Sequence, residues 1–341
     1  MTLAPDEVLG VRGLSVRFRS FGREVPAVHD VSFRLRRSET LALVGESGSG
    51  KSVTSLAMLR LTPPAPLCRV EGEVLLRGPD GTVQELLGLP DGAMRQVRGA
   101  AISMVFQEPM TSLNPVHTIG AQIAEAVRFH TGASRRAALD RAAELLDVVG
   151  IPDPRRRLSA YPHQLSGGMR QRVMIAIALS CDPAVLIADE PTTALDVTIQ
   201  LQILELLKRL QQRTGMAVIF ITHNLGVVAE IADRVLVMYA GRIVEQAEVM
   251  PLFQSARMPY TIGLMRSIPQ LELAGQRQAE LFAIPGAVPD PLDPPPGCAF
   301  APRCAWRIAP CDAGMPALEA VDPGHLARCL RWREIGEGAL A

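Results

Sequence analysis

The sequence lacks any long hydrophobic run, and it has no excess of charge of either sign. Its longest apolar stretches, such as residues 216–221, are far too short to cross a bilayer. Residues 1–10 contain an acidic pair and no apolar core, so no secretory signal is expected there. Lys and Arg together number 35, as do Asp and Glu, which argues against a polybasic nucleic-acid-binding protein. We expect a cytosolic chain, with any membrane-embedded part of its machinery supplied by another subunit.

Length and composition indicate a large folded domain with an additional segment. The 341 residues exceed what one hydrophobic core usually requires. Hydrophobic residues make up 48% and charged residues 21%, which is the balance of a well-folded protein. Six cysteines are present, but thiols stay reduced in the cytosol, so they are not expected to form a disulfide framework.

Short apolar runs and helical patterns alternate along the chain. Apolar residues at every second position predict half-buried, antiparallel strands near residues 9–18 and 31–35. Helical spacing predicts helices over 134–149, with Ser134 as N-cap and Gly150 as the stop, and over 197–210. Four short apolar runs predict strands buried on both faces, at residues 41–44, 185–188, 218–221 and 235–240. This alternation predicts an α/β core with a parallel sheet.

Two regions depart from the alternation. Residues 107–179 carry little strand signal, which predicts an inserted helical subdomain. Residues 285–302 contain seven prolines, which is typical of an extended linker. We therefore assign residues 1–255 to the main domain and residues 256–341 to a separate C-terminal extension rich in cysteine and proline.

Residues 45–52 read GESGSGKS and fit the phosphate-loop pattern G-x-x-x-x-G-K-[ST]. A predicted strand precedes them and a helical stretch follows, which is the context that the pattern requires. In such a loop backbone N–H groups face the phosphates, Lys51 reaches the β- and γ-phosphates, and the Ser52 hydroxyl ligates Mg²⁺. The predicted nucleotide-binding residues of the loop are Gly45, Glu46, Ser47, Gly48, Ser49, Gly50, Lys51 and Ser52.

Polar residues that follow other buried strands predict a hydrolytic site. Asp189 ends a strand, where it can hold Mg²⁺ through water, and Glu190 is placed to polarise the attacking water as general base. His223 follows another strand and is a candidate contact for the γ-phosphate. Gln107 follows an apolar stretch and offers a neutral oxygen to Mg²⁺ and the water. A histidine or glutamine alone is more often structural, so the prediction depends on the ordered set.

A second glycine pair lies in LSGGMRQR, residues 165–172. Ser166, Gly167 and Gly168 predict a bare backbone turn at the start of a helix, a structure that binds phosphate through backbone N–H groups and the helix dipole. The chain already has one complete phosphate loop, so this turn requires a separate explanation.

Taken in order, these motifs resemble those of ABC-type ATPases, over roughly residues 8–255. The resemblance implies a nucleotide-binding domain with a parallel-sheet phosphate-loop core, an antiparallel β subdomain and a helical subdomain. It also implies that two such domains pair head to tail, so that Ser166, Gly167 and Gly168 close over the ATP that the other domain holds. That explains the second glycine pair.

The same resemblance implies further roles. Phe18 would stack on the adenine ring, with Phe21 as a competing candidate, and a buried strand residue is an equal alternative for Phe18. Asp196 would lie at the dimer seam and communicate between the two ATP sites. The helical subdomain would hold the groove that receives the coupling helices of a membrane permease.

A narrower resemblance lies in residues 107–126, residues 161–179 and the cysteine-rich tail. These are similar to the ATP-binding subunits of bacterial dipeptide/oligopeptide importers, whose close relatives carry nickel or glutathione. One departure is Met258, which stands where such subunits usually have the histidine of His-Pro-Tyr. The resemblance implies peptide import at the cytoplasmic face of the inner membrane. The implied partners are a second ATPase subunit, two permease subunits and an extracytoplasmic peptide-binding protein.

Other classes of protein fit the sequence less well. A soluble ABC ATPase of DNA repair would need a long coiled coil between Gln107 and Ser166, and no sustained heptads occur there. Ribosome-associated members carry two ATPase domains in one chain, and fused exporters carry transmembrane helices. A kinase would leave the LSGGMRQR motif without a role.

Four of the six cysteines lie together near the C-terminal end, at Cys298, Cys304, Cys311 and Cys329. Thiolates gathered so densely repel one another unless a cation neutralises them, which favours a metal site. Their gaps of five, six and seventeen residues differ from the close C-x₂₋₄-C pairs of structural zinc. Four cysteines are the ligand set of a [4Fe–4S] cluster, which we predict here. Zinc, with His325 in place of one cysteine, and free thiols in a loosely ordered tail remain alternatives.

Overall fold

The computed structural model describes residues 2–20, 22–193, 195–268 and 282–335, with the side chains of residues 109 and 110 excepted. It forms two compact units. The first comprises residues 1–10, 34–39 and 75–221, and the second comprises residues 11–33, 40–74 and 222–341. Phe21 lies outside the described residues.

The secondary structure alternates as the apolar pattern predicts. The strands of the described residues are β1 (Glu7–Ser20), β2 (Arg23–Arg36), β3 (Thr40–Val44), β4 (Cys68–Arg77), β5 (Val83–Glu85), β6 (Ile102–Val105), β7 (Val185–Asp189), β8 (Ala217–Thr222), β9 (Arg234–Tyr239), β10 (Arg242–Glu248), β11 (Glu319–Asp322) and β12 (His325–Ala327). Their α-helices are α1 (Lys51–Met58), α2 (Asp91–Val97), α3 (Pro109–Ser112), α4 (Ile119–Thr131), α5 (Arg135–Val148), α6 (Pro154–Arg157), α7 (Gly167–Ala178), α8 (Val197–Thr214), α9 (Leu225–Ile231), α10 (Val249–Ser255) and α11 (Pro259–Arg266).

Parallel strands form the centre of the first unit. Strand β7 lies between β6 and β8 and runs parallel to both, with Val185 opposite Ile102 on one side and Ala217 on the other. Every residue of β7 and β8 is buried, as expected for strands covered on both faces. The four predicted buried strands are confirmed as β3, β7, β8 and β9.

Between residues 107 and 179, the region predicted as a helical subdomain, the described residues form α3 to α7 and no strand. Helix α5 begins after Ser134, whose hydroxyl accepts a hydrogen bond from the backbone N–H of Ala137. It ends before Gly150, which has a φ of 75°. Helices α4 and α5 pack through a small apolar cluster that contains Ala124, Val127 and Ala138.

The sheet of the second unit is mixed rather than wholly parallel. Strands β3 and β9 are parallel, but β9 and β10 are antiparallel, and β12 and then β11 continue the antiparallel side. Strands β11 and β12 belong to the C-terminal extension. Part of the extension is therefore integrated into this sheet, whereas the sequence predicts a separate segment. In the first unit, the end of β4 pairs antiparallel with β5, with Leu75 opposite Glu85.

No helix among the described residues is both long enough and apolar enough to cross a membrane.

Candidate nucleotide site and four-cysteine site

The phosphate loop connects β3 to α1 in the second unit, and its glycines are required by close packing. A Cβ atom on Gly45 would lie 2.2 Å from the carbonyl oxygen of Met238, and one on Gly50 would lie 2.7 Å from that of Ala27. Gly50 also has a φ of 101°, which a side chain disfavours. The loop can therefore take this course only with glycine at both positions.

Lys51 folds back over the loop that precedes it. Its Nζ donates hydrogen bonds to the carbonyl oxygens of Gly45 at 2.7 Å and Glu46 at 2.9 Å, and the side chain is buried. Ser52 follows in the first turn of α1, and Ser47 and Gly48 are exposed at the outer side of the loop. This arrangement is compatible with the predicted role of the loop in binding phosphate.

The first unit holds the predicted catalytic carboxylate. Glu190 follows β7 directly and has a φ of 46°, an unusual conformation for a residue with a side chain. Its backbone N–H donates to the carbonyl of Ile221 at 2.9 Å. Its Oε2 accepts hydrogen bonds from Gln107 Nε2 at 3.0 Å and from Thr193 Oγ1 at 2.8 Å. The structure thus brings Gln107 and Glu190 together, and no pattern in the sequence indicates the contact that Thr193 makes.

Asp189 and His223 follow the same strand-end pattern. Asp189 is the last residue of β7 and is buried. His223 directly follows β8 and its side chain is exposed. Both stand at the ends of strands, as the sequence predicts.

The second glycine pair opens helix α7. Ser166 is the N-cap, and its hydroxyl accepts a hydrogen bond from Met169 N at 3.3 Å. Ser166 and Gly167 are exposed. A Cβ atom on Gly168 would lie 2.9 Å from Ile199 Cγ2, so this position requires a small residue. The turn therefore presents the exposed N-terminus of a 12-residue helix.

Asp196 and Phe18, which the family resemblance also implicates, lie at the start of α8 and on β1. Asp196 caps α8 by accepting a hydrogen bond from Ile199 N at 2.9 Å, and it is exposed. Phe18 is half-buried on β1 and lines a groove of about 560 Å³ together with Arg17 and Arg69. Phe18 is therefore accessible, unlike a fully buried strand residue.

The four C-terminal cysteines line one small cavity, of about 20 Å³, in the second unit. Burial raises the pKa of the Cys298 and Cys304 thiols, and it raises that of Cys329 to about 12, with the neighbouring cysteines adding to the effect. Among the described residues, no three His, Cys, Asp or Glu side chains are gathered closely enough to hold a single metal ion.

His325 does not line this cavity, contrary to the alternative that it is a zinc ligand. Its Nε2 lies 2.8 Å from Glu245 Oε1, and both side chains are buried.

Comparison with known proteins identifies the group to which the chain belongs. Residues 28–193 match the family model described as ABC transporter, and residues 244–311 match that described as oligopeptide/dipeptide transporter, C-terminal region. A putative peptide import ATP-binding protein of Brucella melitensis is 56% identical, over 98% of this chain and 99% of its own length. The dipeptide transport ATP-binding protein DppD of Bacillus subtilis is 51% identical, over 95% and 94% respectively.

A solved structure supports the fold independently. It is described as the dimeric structure of an ATP-binding cassette in a post-hydrolysis state with bound ADP and Pi. It has a TM-score of 0.62 and 28% identity, and the match covers 71% of this chain and 98% of the other. With the phosphate loop, the Gln107–Glu190 pair and the capped glycine turn of α7, these similarities show that the chain belongs to the ABC transporter ATPases, in the group that carries the oligopeptide/dipeptide transporter C-terminal region.

Proposed function

We propose that this chain is the ATP-hydrolysing subunit that powers the import of dipeptides or oligopeptides through a membrane permease. The observation that carries the proposal is the hydrogen bond from Gln107 to Glu190, which orients the carboxylate that we propose as general base. The names of its relatives support peptides as the cargo. The same machinery could serve nickel or glutathione import, because the cargo is selected by the permease and the binding protein.

The chain's residues supply the chemistry as follows. Glu190 accepts a proton from the water that attacks the γ-phosphorus, and the bond from that phosphorus to the β–γ bridging oxygen breaks. Lys51 neutralises charge on the β- and γ-phosphates, and His223 contacts the γ-phosphate. Mg²⁺ would be held by Ser52, Asp189 and Gln107, whose oxygens suit this cation, and it would neutralise charge on the phosphates. Phe18 would stack on the adenine.

The exposed turn at the start of α7 favours a head-to-tail pair of ATPase domains. Ser166, Gly167 and Gly168 would face the nucleotide of the partner, and Asp196 would lie at the seam. The dimeric description of the solved ATP-binding cassette supports this arrangement. The isolated chain should therefore hydrolyse ATP slowly, and adding the partner ATPase and permease should raise the rate.

A groove of the helical subdomain is suited to the permease. It has a volume of about 640 Å³, lies between α4 and α5, and includes Phe129, whose side chain is 55% exposed. An exposed aromatic residue beside a groove is typical of a protein-binding surface. We place the docked complex at the cytoplasmic face of the inner membrane.

Recovery of the permease tests the proposed function. The tagged full chain should recover two permease subunits from solubilised membranes. Phe129→Glu should abolish recovery while Mg-ATP binding is retained. Met250→Glu is the control, because Met250 is 60% exposed on α10, in the other unit. Recovery of ribosomes or DNA in place of membrane subunits would contradict the proposal.

We also propose that Cys298, Cys304, Cys311 and Cys329 hold a [4Fe–4S] cluster with a structural role. Two observations support this proposal: the four cysteines line one cavity, and their number matches the ligand set of such a cluster. When bound, the cluster would cross-link the segment that contains them. Protein purified without oxygen should contain about four iron and four acid-labile sulfide per chain. Zinc alone, or no metal, would contradict the cluster.

A further inference from the structure

Two residues of the C-terminal extension bind the second residue of the phosphate loop. The hydroxyl of Tyr260 accepts a hydrogen bond from the backbone N–H of Glu46 at 2.8 Å. The guanidinium of Arg303 donates to the Glu46 carboxylate through both terminal nitrogens, at 2.7 and 2.9 Å. The backbone and the side chain of Glu46 are therefore both held by a region that lies more than two hundred residues away in sequence.

Arg303 is fixed in a dry environment. Its side chain is only 5% exposed, and it also donates to the carbonyl oxygens of Pro285 at 3.0 Å and Ile284 at 3.3 Å. Its guanidinium lies 5.8 Å from the ring centres of both Tyr239 and Phe300. The hydrogen bonds to Glu46 raise the pKa of the guanidinium. A two-pronged arginine–carboxylate pair is stronger and more directional than a hydrogen bond between neutral groups.

Tyr260 is equally well fixed. It is fully buried on α11, with its ring centre 4.5 Å from that of Tyr239 and 5.4 Å from that of Phe300. The N-terminus of α11 is tied to the sheet, because the buried Glu245 accepts a hydrogen bond from Met258 N at 3.2 Å. Burial raises the pKa of the Tyr260 phenol, so the hydroxyl stays neutral.

The contacts of Arg303 and Tyr260 constrain Glu46, the residue of the phosphate loop whose carbonyl Lys51 also binds. Lys51 Nζ donates to the Glu46 carbonyl, while Tyr260 accepts from the Glu46 N–H. The N–H of Glu46 is thus directed to Tyr260 rather than to a phosphate. Phosphate binding depends on the orientation of the remaining loop N–H groups, and a loop already held in its binding conformation loses less entropy when nucleotide binds.

We propose that Arg303 and Tyr260 are positioning residues of the nucleotide site, which hold the phosphate loop through Glu46 and thereby set its affinity for Mg-ATP. This inference rests on the proposed ATPase function. It makes the C-terminal extension part of the nucleotide site. Because Phe300 and Ala301 also line the four-cysteine cavity, the segment that holds Arg303 is shared by both sites.

The test is the dissociation constant of Mg-ATP for the full-length chain, measured by titration calorimetry. Arg303→Ala and Tyr260→Phe should each raise Kd about tenfold, within the range typical of coupling between sites. Arg303→Lys should restore part of the loss, since lysine keeps the charge but not the two-pronged geometry. In the assembled transporter, KM for ATP should rise while kcat changes less, because Glu190 and Gln107 are untouched.

A double-mutant cycle separates this role from a general loss of structure. If Arg303 acts through Glu46, then Arg303→Ala combined with Glu46→Gln should bind Mg-ATP no more weakly than the worse single variant. Arg307→Ala is the matched control, because Arg307 pairs with Asp312 at the surface of the same segment. It should leave Kd unchanged.

Several outcomes would overturn the positioning role. The first is a wild-type Kd in Arg303→Ala. The second is a rise of Kd in Arg307→Ala as large as that in Arg303→Ala. The third is a rise of Kd in the double variant that equals the product of the rises in the two single variants. If Arg303→Ala does not fold, Tyr260→Phe keeps the ring packing and carries the test alone, and an unchanged Kd would contradict the inference. A wild-type chain that does not bind Mg-ATP would instead contradict the proposed function.

Discussion

The side-chain amide of Gln107 donates a hydrogen bond to Glu190 Oε2 at 3.0 Å. Gln107 follows β6 and Glu190 follows β7, and these strands are parallel neighbours, so their ends lie side by side. Thr193 donates to the same oxygen at 2.8 Å. Two donors thus fix the carboxylate that we propose as general base.

The first prediction concerns this carboxylate. Glu190→Gln should still bind Mg-ATP, but its turnover should fall by about 10²–10⁴-fold, the usual effect of losing a general base. The amide should also keep the paired domains closed around unhydrolysed ATP. Glu205→Gln, at an exposed position on α8, is the control and should hydrolyse ATP normally. Wild-type turnover in Glu190→Gln would exclude Glu190 as the base.

The second prediction concerns the exposed turn at the start of α7. Ser166→Arg, with the partner's own turn intact, should lower hydrolysis at the partner's phosphate loop by at least about tenfold, because the turn's donors no longer face that phosphate. Hydrolysis at the chain's own phosphate loop should change less. Ser159→Arg is the control, since Ser159 is also exposed but lies outside the turn. Equal loss at both sites in nucleotide-trapping measurements would argue against the head-to-tail arrangement.

The third prediction concerns backbone packing under the phosphate loop. Gly45→Ala should abolish Mg-ATP binding and lower the melting temperature, because its Cβ would overlap the Met238 carbonyl oxygen at 2.2 Å. Overpacking of this kind usually costs about 1–3 kcal/mol. Gly92→Ala provides the contrast, since a Cβ there meets nothing within 4 Å, and it should raise stability slightly. Wild-type melting and binding in Gly45→Ala would show that the loop accommodates a side chain.

The fourth prediction concerns the four cysteines. Serine at Cys298, Cys304, Cys311 or Cys329 should lower the iron and sulfide content of anaerobically purified protein, because each removes one thiolate ligand. Cys181→Ser should have no effect, since its sulfur contacts the carbonyl of Ala126 in the first unit instead. Full iron content in all four variants would show that the cysteines do not hold the cluster.

The core and the motifs could be predicted because their signals are local. A fully apolar run such as residues 185–188 of β7 can be buried only as a strand or a short helix, and the acidic pair of Asp189 and Glu190 marks its end. Capping also follows from adjacent residues, and Ser134 and Gly150 bound α5 as the sequence indicates. The phosphate-loop pattern has a fixed length, so it predicts Lys51 as the phosphate contact without any tertiary information.

Long-range contacts could not be predicted in this way. Arg303 and Tyr260 reach Glu46 across the chain, and no local pattern in the sequence indicates either contact. The strands β11 and β12 are only four and three residues long, too short for alternation to be visible. His325 is adjacent in sequence to the cysteine region, but the fold pairs it with Glu245. These features depend on tertiary packing, which one sequence does not encode in adjacent residues.

The most direct test of the account is peptide uptake into vesicles that contain the permease subunits, this chain, its partner ATPase and the peptide-binding protein. With ATP and Mg²⁺ enclosed on the ATPase side, labelled dipeptide or oligopeptide should accumulate on that side. The amount of phosphate released should rise together with the amount of peptide taken up. Vesicles that carry Glu190→Gln should bind ATP but accumulate little peptide. Equal accumulation without ATP, or with the Glu190→Gln chain, would contradict the claim that ATP hydrolysis by this chain powers peptide import.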